Sequence, residues 1–236
     1  MTFGFRMGVK VLSRQKPRRC ATVRGILTSI QEPPVDSSVP EHPCTLILAQ
    51  DDGLDDSDQW KSCFETVTDR GFSQAQWSTQ ATDLDSALVE MGQDLSPIPS
   101  PVWIARGPWT SWMAQFYLES LHLSGLVLVD PLPLDQTRGI QEMEAFLKAR
   151  SSATTAMFQD FANHWDHWTL KLEPAAVPMM VISTKPSWKW AAEYTAERHS
   201  IDDEIVPIVY CSDSSADGQE AVLIETIMEW VNEEVI

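Results

Sequence analysis

The sequence predicts an α/β domain, a doubly wound and mainly parallel sheet of about six strands with helices on both faces. Three observations carry that prediction. Short apolar runs rich in leucine and β-branched residues end abruptly at turn residues, as strands buried on both faces do. Between them lie segments of about ten to fifteen residues with apolar side chains at helical spacing, the pattern of βαβ units. Finally, 43% of the 236 residues are hydrophobic, enough for one substantial core.

The elements follow in order. TLILAQ (45–50) reads as a buried strand running into the turn DDGLDDSD. A helix over 57–70 is capped by Ser57 or Asp58, shows Trp60, Phe64 and Val67 on one face, and stops at Gly71. FSQAQWST (72–79) alternates like a half-buried strand, and 82–93 gives a helix with Leu84, Leu88 and Met91 in register. After the proline-rich break SPIPSP come a strand VWIA (102–105), a tight RGPW turn and a helix over 109–122. GLVLVDP (125–131) is the clearest buried strand. A mostly helical excursion covers 132–177. A strand VPMMVIST (177–184), a helix over 188–199, a strand EIVPIVYC (204–211) and a helix over 218–234 complete the chain.

Residues 1–31 hold seven basic residues (Arg6, Lys10, Arg14, Lys16, Arg18, Arg19, Arg24) and no acid, with Phe3, Phe5, Met7, Val9 and Leu12 interspersed. That composition suits an organellar transit peptide, mitochondrial ahead of plastid, and lacks the apolar block of a secretory signal. A basic tail on an otherwise cytoplasmic protein, or a misplaced start, is the alternative. Residues 32–43 form a Pro/Ser-rich linker, and the folded domain is expected over 44–236. The rest of the chain sets ten basic residues against all 34 acidic ones, a charge that repels nucleic-acid phosphates and anionic lipid. No run reaches the length of a membrane span. Cys20, Cys44, Cys63 and Cys211 lie far apart without metal-ligand spacing and read as reduced thiols, mostly buried.

In a parallel sheet the functional crevice lies beyond the carboxyl ends of the strands. The turns there, in this order, resemble those of the α/β-hydrolase superfamily over nearly all of 44–235. LILAQDDGLDDSDQWKSCFETVTDRGF is similar to that family's first central strand, oxyanion loop and helix. VWIARGPWTSWMAQFYLE resembles its nucleophile elbow and helix. LSGLVLVDPLPL is similar to the next strand, VPMMVISTKPSW to the strand before the acid loop, and EIVPIVYCSDSSADGQEAVLIETIMEWV to the last strand, histidine loop and closing helix. The family's two amino-terminal antiparallel edge strands find no clear counterpart.

The resemblance implies a catalytic triad, and the residues it needs are missing. There is no GxSxG; Ala105-Arg106-Gly107-Pro108-Trp109 stands in its place, leaving Gly107 at the nucleophile's position with nothing to attack with. The acid turn offers Ser187 rather than an aspartate, with Asp130 as a substitute acid from the preceding strand. All five histidines (His42, His122, His164, His167, His199) precede the last strand, so none follows it. In the oxyanion loop, Ala49-Gln50-Asp51-Asp52-Gly53 would set carboxylates against a developing oxyanion.

Ser111 is the hydroxyl nearest the vacant position, and its plain reading is a polar residue of a first helical turn. His164 and His167 could share a helix face, but with no third ligand an amphipathic lid segment is the plainer reading, and no metal or cofactor is expected. Asp51, Asp52, Asp55, Asp56 and Asp58 lack the spacing of a calcium loop and read as a solvated, capping turn. Gln50, Asp51, Arg106, Trp109, Trp112, Trp165, Trp168 and Trp188 are the expected lining of a pocket, against the alternative that the tryptophans are core. Three functions stay open. The first is a non-catalytic binding or scaffold module whose partner is a protein or a small apolar ligand. The second is a divergent hydrolase of an ester, thioester or amide using a relocated serine. The third is a carrier or sensor of a small apolar ligand.

Overall fold

The computed structural model describes residues 26–35, 38–51, 54, 57–79, 81, 83–148, 170–211 and 219–236. The strands are β1 (Ile26–Leu27), β2 (Thr45–Gln50), β3 (Ser73–Ser78), β4 (Pro101–Arg106), β5 (Gly125–Val129), β6 (Met179–Ser183) and β7 (Ile208–Tyr210). They form one sheet in the order β1-β3-β2-β4-β5-β6-β7. β2 to β7 are mutually parallel, and β1 runs antiparallel beside β3.

Helices α1 (Ser57–Glu65), α2 (Leu84–Leu95), α3 (Pro108–Leu118), α4 (Thr137–Lys148), α5 (Lys189–His199) and α6 (Gln219–Glu234) cover both faces. Successive strand residues point to opposite faces, so an uninterrupted apolar strand feeds two cores. Ile47, Trp103, Leu126 and Leu128 pack on the side of α2 to α5. Leu46, Leu48, Ile104, Val127 and Val129 pack with Trp60 and Phe64 of α1 and Ile227 and Val231 of α6 on the other. Trp103 is wholly buried; truncating it to alanine is expected to cost about 3 to 5 kcal/mol.

Local chemistry sets the boundaries. Gly71 takes a left-handed conformation (φ 89°) and closes the 3-10 turn Thr66–Arg70 that follows α1. Asp83 caps α2, its carboxylate accepting from the Ser86 N–H at 2.8 Å. Pro108 opens α3, where a missing N–H costs that helix no hydrogen bond.

Three expectations are refined. Among the described residues one antiparallel edge strand exists: Ile26 and Leu27 pair with Ser78 and Trp77, and Gln31 bridges Gln74. Two strand residues were too few to register as a period. The stretch read as linker also touches the domain, His42 stacking on Phe72 at 4.0 Å. The last strand is shorter than 204–211 because Ile201–Glu204 closes a tight turn and Pro207 cannot donate to a ladder. Within the excursion, α4 is described and 149–169 lies outside the described residues. Cys44 is buried, its thiol pushed up to about 11 by burial; Cys63 and Cys211 are half-buried, and Cys20 falls outside the described residues.

Candidate functional site

The chain steps from β2 outward to β3 and then returns to the other side of β2 for β4. The carboxyl ends of β2 and β4 therefore flank the point where strand order reverses, the place where such sheets bind ligands. Asp51 follows β2 there, and Gly107 follows β4.

Gly107 sits at φ 109°, ψ 163°, a backbone conformation that side chains disfavour, with its N–H on the Val129 carbonyl at 2.9 Å. A Cβ at this position would lie 2.6 Å from Asp51 Oδ2 and 2.7 Å from its Cγ. The space over the turn is thus filled by the Asp51 carboxylate, which is 4% exposed. Oδ2 accepts from the Trp109 N–H and Oδ1 from the Thr110 N–H, both at 2.8 Å. An anion bound by two N–H groups of a helix's first turn is favoured by the hydrogen bonds and by the helix dipole together. Asp51 is held in place by its own N–H, which donates to the Arg106 carbonyl at 2.9 Å and so continues the β2–β4 pairing. Arg106 is buried, its guanidinium 4.6 Å over the Trp60 ring and its Nη1 donating to Gln50 Oε1 at 3.4 Å.

In a hydrolase elbow, one oxyanion donor is the N–H of the residue after the nucleophile. Here that residue is Pro108, which has none. The turn combines no nucleophile, no first donor, and a carboxylate seated on the next two N–H groups. The Pro108 signal lies in the sequence next to Gly107; the Asp51 contact, made across 58 residues, has no sequence signature.

Asp130, at φ 54°, is also buried. Its carboxylate accepts from the Thr184 N–H at 2.8 Å, the Thr184 hydroxyl at 2.5 Å and the Lys185 N–H at 3.3 Å. These bonds tie the end of β5 to the loop after β6. Of the histidines, His164 and His167 lie outside the described residues. His199, at the end of α5, is 1% exposed and pairs through Nε2 with Gln115 Oε1 at 3.0 Å. Burial, reinforced by the Arg198 charge, lowers its pKa to about 4, so it is neutral at pH 7.

Ser111 is 0% exposed, and its Oγ donates to the Ala105 carbonyl at 3.3 Å. Ser187 is exposed in the 3-10 turn Pro186–Trp188. The structure keeps the two apart, one inside α3 and one on the surface beyond β6. Trp109, Trp112 and Trp188 are buried members of one core cluster, with Trp109 and Trp112 5.8 Å apart. Trp188 donates to Glu142 at 3.3 Å and lies under Lys185 Nζ at 4.1 Å. Trp165 and Trp168 lie outside the described residues. A cavity of about 20 Å³ adjoins Trp112, Gln115, Asp135, Tyr194 and Arg198, the size of a single water. Among the described residues no group of three or more His, Cys, Asp or Glu could hold a metal ion, and no helix is long and apolar enough to cross a membrane.

No family model and no curated protein sequence matches the chain. Among solved structures it is similar to Est1E from Butyrivibrio proteoclasticus, at 9% identity and a TM-score of 0.63, covering 91% of this chain and 96% of that one. It is similar to the esterase domain of a Rhodothermus marinus protein at 11% identity and a TM-score of 0.63, covering 88% and 92%. With alpha/beta hydrolase domain-containing protein 10 from mouse the identity is 7% and the TM-score 0.58, covering 89% and 94%. At such identities the likeness is one of architecture: the chain has the α/β-hydrolase fold.

Proposed function

We propose that this protein is a non-catalytic α/β-hydrolase-like binding or scaffold module that works in an organelle. The observation that supports it most is the Asp51 carboxylate bound to the Trp109 and Thr110 N–H groups over Gly107. A tetrahedral acyl intermediate needs a nucleophile and preorganised donors at that point, and a carboxylate there opposes the developing negative charge. Pro108 removes a further donor, and Asp130 is engaged by Thr184 and Lys185. The esterases among its structural neighbours support descent from a crevice that once held such chemistry. The acid-free basic segment 1–31 supports organellar delivery, mitochondrial ahead of plastid. Fluorophosphonate labelling of the full chain, with Ser111→Ala and Ser187→Ala beside it, tests the proposal. No specific adduct is expected. An adduct lost in either variant would establish a relocated serine and the hydrolase reading instead.

A further inference from the structure

At the opposite end of the sheet from the elbow, where β6 and β7 begin, a groove of about 580 Å³ opens beside α5 and α6. Its floor is apolar and buried: Val177, Met179, Val206 and Trp230. Its rim carries Asp203, Glu204 and Glu234, all exposed, and no lysine or arginine lines it among the described residues. Ile205 is 75% exposed on the same wall, and Ile201, next to it on the Ile201–Glu204 turn, is 43% exposed. Reciprocal backbone bonds between Ile201 and Glu204, at 3.1 and 2.7 Å, fix that turn and the acids it carries.

The charged side chains that line the groove are all acceptors. α5 ends at His199 and α6 at Glu234, so two helix carboxyl termini add their partial negative charge to the three carboxylates. His199 lines the groove as well. Gln115 Nε2 donates to the Ser111 carbonyl, which turns Gln115 Oε1 toward His199 Nε2 and makes that nitrogen the donor. Nδ1 is then a bare acceptor, and it has no partner among the described residues.

We propose that this groove docks a segment of a partner protein that alternates apolar side chains with lysine or arginine. Its cationic groups face Asp203, Glu204 and Glu234, and its apolar side chains cover Ile205 and the Trp230 floor. The charge pattern selects a cation, and the open apolar flank at Ile201 and Ile205 suits a chain laid across the surface better than a small molecule, which a pocket encloses. The acidic rim repels an anionic membrane. Ile26 pairs with Ser78 at the carboxyl end of β3, and β1 and β7 lie at opposite edges of the sheet. The site is remote from the elbow, so it stands or falls independently of the absence of catalysis.

Fluorescence anisotropy on the full chain tests the docking, with a labelled Leu/Lys peptide of about four helical turns and its Leu/Glu counterpart as probes. The Leu/Lys peptide is expected to bind, weakened by salt, and the Leu/Glu peptide not to bind. Glu204→Lys with Glu234→Lys should weaken binding about tenfold or more. Asp69→Lys with Asp85→Lys, the same change in net charge at exposed sites elsewhere, should change it by less than about threefold. Equal losses in the two double variants would reduce the effect to overall charge and overturn the proposal, as would absence of Leu/Lys binding. Displacement of that peptide by a peptide of residues 1–25 or by a simple alkylamine, at lower concentration than unlabelled Leu/Lys peptide requires, would also overturn it by assigning the groove to another occupant.

Discussion

His199 gives the fold a pH dependence whose size follows from its surroundings. The ring is buried between α5 and α3, its Nε2 on Gln115, with Arg198 adding repulsion to any charged form and Asp135 partly opposing it. Its pKa falls from 6.5 to about 4 on folding. Between those values the unfolded chain holds the proton more tightly than the folded one. Stability from this group is therefore complete above about pH 6.5 and is lost as the pH falls toward 4. At about 1.4 kcal/mol per unit, the loss between pH 7.5 and pH 5 is about 2 kcal/mol. His199→Gln keeps a donor for Gln115 and removes the titration. Urea unfolding of both proteins at the two pH values isolates the histidine, because the carboxylates titrate alike in each. The native protein should lose about 2 kcal/mol more than the variant over that interval; equal losses would refute the buried neutral imidazole.

Other expectations concern the elbow. Asp51→Ala leaves the Trp109 and Thr110 N–H groups without their acceptor at a buried helix start, and should lower stability by about 2 to 3 kcal/mol in chemical denaturation. Gly107→Ala sets a Cβ into the Asp51 carboxylate at a positive φ and should cost more than about 2 kcal/mol. In the Asp51→Ala background that cost should fall by about 1 kcal/mol or more, and strict additivity would show that the two residues do not contend for one space. Asp130→Ala unties the loop after β6 from β5, so amide exchange at Thr184 and Lys185 should quicken while that of β2 stays slow.

Much of this architecture is legible in the sequence, because a strand covered on both faces must be apolar throughout. TLILAQ, VWIA, GLVLV and MMVIS each satisfy that condition, and the helices between them carry their apolar residues at helical spacing. The gap at Gly107 is legible too, since a nucleophile is a particular residue type at a particular turn. Long-range contacts are different. Nothing local to Asp51 says that its carboxylate spans the sheet end to cap α3, and nothing local to Asp130 says that it binds Thr184. Trp109, Trp112 and Trp188 were equally suited to a pocket wall and to the core, and the core holds them. β1 contributes two residues to the sheet, too short a stretch for alternation to reveal.

Ester turnover by the full chain tests the central claim most directly. Measured with short-chain nitrophenyl esters against the same protein unfolded in urea and against Ser111→Ala and Ser187→Ala, hydrolysis should be no faster than that of the unfolded chain and should show no saturation. Saturable turnover by the folded protein, abolished in either serine variant, would contradict the account.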